Sequence, residues 1–169
     1  MTKVYEGKWL EMHNVDGYEF MHRHRKPKAV DIIAITTDNK LVIGRQFRKG
    51  VNAFVWETPA GLVDDGETSE VTAERELIEE SGYKGTYVQT IKDVCTTPGI
   101  CTEKIDIVIF TNCKKVAKGG GLADEHENIE TILFDPKKDS IFELTKTGLL
   151  DFKLLFGIEW MRNYVKYVS

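Results

Sequence analysis

Cysteine is scarce. Cys95, Cys101 and Cys113 are the only three, an odd number without CxxC spacing, which excludes a disulfide framework and speaks against a zinc site; reduced thiols in a cytoplasm account for them. Basic charge is also short. Lys and Arg number 23 against 27 Asp and Glu, a net charge of -4, whereas a general nucleic-acid binder carries a basic surplus. No apolar run reaches the ~18 residues a membrane helix needs, and Met1-Thr2-Lys3-Val4-Tyr5 lacks the apolar core of a signal peptide. Internal repeats, low-complexity tracts and an evident linker are missing as well. What is there is an ordinary balance, 41% hydrophobic and 30% charged over 169 residues, which fits one compact soluble domain.

The patterning predicts strands first. Residues 4–26 read as a hairpin or meander, with Asn14-Val15-Asp16-Gly17 as a turn. Ala29 to Thr36 is β-branched and apolar, a buried strand; Leu41 to Arg48 and Val55-Trp56-Glu57 follow as two more. Residues 69–81 read as a helix, with Thr68 or Ser69 as its N-cap and Gly82 as its left-handed C-cap. Tyr87 to Val94, Lys104 to Phe110 and Ile129 to Phe134 are further strands. Lys118 to Asn128 is a glycine-bearing acidic loop, with Gly119-Gly120-Gly121 as its hinge. Residues 139–166 have helical periodicity, with Leu149, Phe152, Leu155, Phe156, Trp160 and Tyr164 as the buried face. The expected fold is α/β: a mixed sheet sandwiched between helices, preceded by a strand segment over 1–26 that is separate from a domain over 27–169.

The chemistry points to the helix. Glu76 and Glu80 are i, i+4 and share a face about 6 Å apart along the axis. Such a pair is repulsive alone, so a Glu-rich helix is commonly just a solvated face. Hard oxygen ligands at this spacing also suit Mg²⁺ or Mn²⁺. Glu79 lies beside them, and Arg75 can hold a carboxylate in its ligating rotamer. The preceding Pro59-Ala60-Gly61 and Asp64-Asp65-Gly66-Glu67 offer backbone carbonyls to a metal and amides to a phosphate.

Gly61, five residues, Glu67, seven residues, then Arg75-Glu76-Leu77-Ile78-Glu79-Glu80-Ser81-Gly82 resembles the complete signature box of the Nudix hydrolases. Chance would fill these positions on the order of once in 10⁸ starting points, which outweighs the solvated-face reading. One position departs: the last, usually aliphatic, is Tyr83. Gln46-Phe47-Arg48, Trp56-Glu57-Thr58-Pro59-Ala60-Gly61, Pro98 at 15 residues beyond Tyr83, and Gly121 to Glu127 are similar to the ADP-ribose pyrophosphatase branch. The resemblance covers roughly residues 20–160.

That resemblance implies a Nudix fold and a metal-dependent hydrolase cutting the diphosphate of a nucleoside diphosphate linked to another moiety, with ADP-ribose giving AMP and ribose 5-phosphate. It implies two or three Mg²⁺ ions (or Mn²⁺) held by Glu76, Glu80, Glu127 and the Ala60 carbonyl. Glu125 becomes the general base, or exchanges roles with Glu127; Arg75 and Glu79 join the catalytic set. Arg48, Glu57, Leu62, Glu103 and Arg23 or Arg25 become substrate contacts, with Trp9, Tyr18 or Phe20 available to stack on adenine. It implies a cytoplasmic homodimer with the 1–26 segment at its interface, a small-molecule partner, and neither nucleic acid nor membrane. A nucleotide-sugar pyrophosphatase (GDP-mannose or a UDP-sugar) and a non-catalytic Nudix sensor are the alternatives.

Overall fold

The computed structural model describes residues 1–25, 28–122 and 128–168. Its first element is an antiparallel meander of β1 (Thr2–Glu6), β2 (Leu10–Val15) and β3 (Tyr18–Arg23). Asp16 and Gly17 join β2 to β3 with φ of 52° and 88°, between the paired Val15 and Tyr18. Two consecutive positive-φ residues make the turn whose twist matches the flanking strands, and the Asn14 side chain accepts the Gly17 N–H. The meander docks on its own chain. Met21 donates to the Ile100 carbonyl and accepts from the Thr102 amide, and the Tyr18 hydroxyl donates to the Gly99 carbonyl.

The second sheet holds β4 (Lys28–Thr36), β5 (Leu41–Arg48), β6 (Ala53–Glu57), β7 (Ala60–Leu62), β8 (Tyr83–Cys95), β9 (Lys104–Lys115), β10 (Glu130–Phe134) and β11 (Leu149–Leu150). Its order is β11-β6-β5-β4-β9-β8, with β10 against β5 and β7 against β4. β4–β9 and β6–β11 are parallel and the rest antiparallel, so the sheet is mixed. The period of two along β4 divides its side chains between two cores. Val30, Ile32 and Ala34 pack with Ala73 and Leu77. Ile33 and Ile35 pack with Leu154, Ile158 and Met161. β9 divides the same way, Val108 and Phe110 to the first core and Ile105, Ile107 and Ile109 to the second. Helices therefore cover both faces, which is why these strands are apolar on both sides rather than alternating, apart from buried Asp31 and Asp106.

The C-terminal region departs from expectation. Instead of one helix over 139–166, the chain forms α2 (Ile141–Leu144), β11 and α3 (Phe152–Val168). Gly148 makes the break: a Cβ there would meet the Phe54 carbonyl at 3.0 Å and Trp56 Cδ1 at 3.2 Å, and the chain slides along β6 to pair Leu149–Leu150 with Val55–Trp56. The buried face of α3 is Leu154, Ile158 and Met161, whereas Leu149, Phe152, Leu155 and Phe156 are exposed at 52%, 76%, 37% and 37%. Only Trp160 and Tyr164 of the expected face pack, partly buried, against the core. The helix is apolar on two stripes, so periodicity alone does not choose between them; the Leu154 stripe is the one that packs with Ile33 and Leu41. β7, expected as loop, is a short strand because Ala60 and Leu62 pair with Asp31 and Ala29.

Candidate active site

The helix opens where expected, α1 running Ser69–Glu76, with the Thr68 hydroxyl accepting the Val71 N–H at 3.3 Å. It then widens into a π turn, Leu77–Ser81, before Gly82 stops it at φ 73°. The Ser81 hydroxyl donates to the Leu77 carbonyl at 2.5 Å, consuming the acceptor that an α turn would give a backbone amide. Such π turns recur at functional sites because they re-aim side chains within a rigid helix. Here the turn carries Glu79 and Glu80. The spacing from Glu76 to Glu80 is thus not that of a plain α-helix.

Both glutamates converge on one backbone corner. Glu80 is 4% exposed, and its Oε2 accepts the Ala60 N–H at 3.0 Å. The Glu76 carboxyl lies over Gly61, where a Cβ would collide with its Cδ and Oε1; the glycine is a steric requirement of the glutamate. β7 presents this corner, held to β4 by the Ala60–Asp31 and Gly61–Val30 pairings.

Arg75 braces the set. Its Nη1 donates to Glu76 Oε1 at 2.8 Å and to Glu79 Oε2 at 2.9 Å. Nε and Nη2 reach Glu67 at 3.4 and 3.3 Å, and Nη2 reaches Asp64 at 3.5 Å. Burial works against the guanidinium charge, but Glu67, Glu76 and Glu79 outweigh it and hold its pKa above the ordinary value. The Thr72 hydroxyl, then Arg75, lowers the Glu67 pKa. Among the described residues, Arg75 faces the four carboxylates of Asp64, Glu67, Glu76 and Glu79, an acidic concentration that attracts cations. The donors are all hard oxygens in a cradle that a side chain on Gly61 would fill, so the residues fit Mg²⁺ or Mn²⁺.

The glycine run meets the end of the helix. The Gly120 and Gly121 amides donate to the Glu80 and Glu79 carbonyls at 2.7 and 3.1 Å, supplying partners that a helix C-terminus lacks. A Cβ on Gly119 would overlap the Ser81 backbone, and Gly119, Gly120 and Gly121 all have positive φ, a conformation that favours glycine. Glu125 and Glu127 lie outside the described residues.

The remaining candidates fall into pairs. Arg48 Nε donates to both Glu57 oxygens at 2.9 and 3.2 Å, with Glu57 buried and Arg48 exposed. Arg23 Nε donates to Glu103 Oε1 at 2.8 Å. Leu62 pairs with Ala29 and Lys104 with Lys28, so Leu62 and Glu103 flank the start of β4 on opposite sides. Arg25 is exposed. Of the aromatics, Phe20 is stacked on His13 at 5.7 Å, while Trp9 and Tyr18 are exposed.

Sequence reasoning missed Asp31. It is fully buried in the β4 pairing with Ala60, accepts the Thr58 hydroxyl at 2.6 Å on Oδ1, and has no hydrogen-bond partner on Oδ2. Burial, only partly offset by Thr58, pushes its pKa up to about 7. An acid amid Ile32 and Ile33 was the available signal.

Residues 25–143 match the model of the NUDIX domain. The chain is 39% identical to a methanol dehydrogenase activator of Bacillus methanolicus, and 29% identical to an ADP-ribose pyrophosphatase of Bacillus subtilis. Each alignment covers 82% of this chain and 74% of the relative. The crystal structure of an ADP compounds hydrolase superposes with a TM-score of 0.72 at 22% identity, over 99% of this chain and 92% of that one; at that identity the likeness speaks for the fold. Among the described residues, no helix is long and apolar enough to cross a membrane.

Proposed function

The chain belongs to the NUDIX family, and from that premise we propose that it is a Mg²⁺-dependent pyrophosphatase that cuts ADP-ribose to AMP and ribose 5-phosphate. The observation that carries this reading is the convergence of Glu76 and Glu80 on the Ala60–Gly61 corner under the Arg75 brace. Glu76, Glu80, the Ala60 carbonyl and Glu127 would hold two or three ions. Bound Mg²⁺ or Mn²⁺ supplies charge neutralisation of the diphosphate and acidification of a water.

The side chains have distinct tasks in this proposal. Arg75 fixes the Glu76 and Glu79 rotamers, so that their arrangement need not form during each turnover. Glu125 takes the proton of the attacking water, worth typically 10²–10⁴-fold. The new P–O bond forms at one phosphorus, and the bridging oxygen leaves with the other phosphate. Arg48, ordered by buried Glu57, and Arg23, ordered by Glu103, are the donors proposed to meet phosphate or ribose oxygens; Leu62 and Arg25 complete the substrate wall. The pyrophosphatase relative and the position of Pro98 support ADP-ribose over nucleotide sugars. A cytoplasmic homodimer joined through the meander completes the proposal, supported by the exposure of Val4, Tyr5, Trp9 and Leu10.

A second reading rests on the 39% identical relative named as a methanol dehydrogenase activator: the same hydrolase would act on a partner dehydrogenase. Phosphatase-coupled turnover with Mg²⁺ or EDTA, across ADP-ribose, GDP-mannose, UDP-glucose and NADH, tests both. Tenfold preference in kcat/KM for ADP-ribose supports the first reading. Preference for a nucleotide sugar overturns the substrate, and stimulation of an added methanol dehydrogenase without such preference favours the second.

A further inference from the structure

The meander gathers a set of ligating groups that the hydrolase site does not use. Strand pairing sets Glu6 opposite Glu11, Lys3 opposite His13, and His13 opposite Phe20, while the amide of His24 bonds the Trp9 carbonyl. One oxygen of Glu6, one of Glu11 and a ring nitrogen of His24 all lie within 4.8 Å of one another. Among them a cation is already held: Lys3 Nζ stands 2.6 Å from Glu11 Oε1 and 2.9 Å from Glu6 Oε2. His24 Nδ1 lies 3.9 Å from that same Glu11 Oε1; this atom is buried and has no hydrogen-bond partner among the described residues. Glu11 Oε2 is engaged by His13 Nε2 at 2.8 Å. Glu11 and His13 are only 9% and 7% exposed, so the far oxygen of Glu11 is held inside the meander.

The site lies at the edge of the meander, with Glu6 largely exposed, but the buried His24 Nδ1 loses its solvent partners there and gains no protein partner among the described residues, which costs stability unless something binds it. A neutral imidazole and two carboxylates facing one point are a transition-metal donor set, and a histidine fixing the far oxygen of a ligating carboxylate is the usual outer support of such a site. Lys3 sits on the first strand with its side chain 42% exposed, so it can swing into water and release both carboxylates. We propose that Glu6, Glu11 and His24 form a second metal site, for Zn²⁺ or a similar borderline divalent ion, which displaces the Lys3 ammonium and staples the three arms of the meander. The imidazole distinguishes it from the all-oxygen site at Glu76 and Glu80.

The test uses full-length protein without an affinity tag and Zn²⁺ as the probe. Glu76→Gln/Glu80→Gln serves as the background that removes two of the carboxylates proposed to hold metal at the other site. Affinity is read by competition with a chromogenic chelator, and unfolding is followed with Zn²⁺ and with EDTA. The expected result is one Zn²⁺ per chain in that background and a Tm raised by the metal. His24→Ala weakens binding at least tenfold and abolishes the Tm shift. Lys3→Met strengthens binding severalfold, because the competing ammonium is gone. Lys3→Met is at an exposed position and decides the matter even if His24→Ala folds poorly. No stoichiometric binding in the background variant, or Lys3→Met binding no tighter than its parent, overturns the proposal.

Discussion

Gly61→Ala separates positioning from ligand chemistry, because it leaves every carboxylate in place. A Cβ at Gly61 would stand well under 3.0 Å from three atoms of Glu76. Ordinary contact between such atoms begins near 3.5 Å, so the carboxyl must retreat by roughly 1 Å. It cannot do so freely, since Arg75 Nη1 holds Glu76 Oε1 at 2.8 Å and the same nitrogen holds Glu79 at 2.9 Å. A displacement of about 1 Å costs on the order of 10²-fold in rate, and overpacking costs about 1–3 kcal/mol of stability. Gly61 has no positive φ, so backbone strain adds nothing. The assay is phosphatase-coupled ADP-ribose turnover over a Mg²⁺ titration, beside thermal unfolding. Expected are a kcat lower by about 10²-fold, a raised Mg²⁺ requirement and a Tm down by several degrees. Gly66→Ala is the control: its φ is +85° and no atom lies within 4 Å of the added Cβ, so it costs about 1 kcal/mol of strain and leaves kcat within twofold. Gly61→Ala turnover within threefold of wild type, with unchanged Mg²⁺ activation, would falsify the role given to this corner.

Glu80→Gln keeps an oxygen for the Ala60 N–H, so Tm should hold within a few degrees while kcat falls by several orders of magnitude through loss of a ligand; normal turnover would remove Glu80 from the site. Asp31 gives a pH dependence: its folded pKa, about 7, lies above the ordinary 3.8. Stability from the neutral acid is therefore complete below about pH 4 and lost as pH rises to 7. At about 1.4 kcal/mol per unit the loss is a few kcal/mol. Asp31→Asn should flatten Tm over pH 4–8, judged by slope; an unchanged slope would move the ionisation elsewhere, with Glu57, Asp151 and Lys153 the neighbouring charges. Leu154→Ala should cost about 2–5 kcal/mol in urea unfolding, and exposed Phe152→Ala no more than about 0.5 kcal/mol. The reverse ranking would mean that α3 turns its other stripe to the sheet.

Much of the site was legible in the chain because its chemistry is local. Helix, cap and glutamates lie within fifteen residues of one another, so their spacing places them on one helical segment. The strand runs were legible for a similar reason: β4 and β9 are buried on both faces, and a run such as Ile32-Ile33-Ala34-Ile35 has few other uses. Less legible was the pitch of the helix. The π turn depends on a hydroxyl at Ser81 finding the Leu77 carbonyl and on Gly120 and Gly121 sealing the Glu80 and Glu79 carbonyls, contacts that join separate segments. Gly119-Gly120-Gly121 illustrates the limit, since its composition does not reveal that the Gly120 and Gly121 amides meet the Glu80 and Glu79 carbonyls.

The sequence by itself determined the family resemblance, the hydrolase chemistry it implies, the metal-binding type of residue, and the strands buried on both faces, because each is written in residue identities at short, fixed spacings. Tertiary structure alone decided which stripe of α3 is buried, that Gly148 breaks a helix to add β11, that Arg48 meets Glu57 and Arg23 meets Glu103, and that Glu6, Glu11 and His24 share one point. These are meetings of groups from different elements. Their partners are selected by burial and strand register, which no window of local periodicity contains.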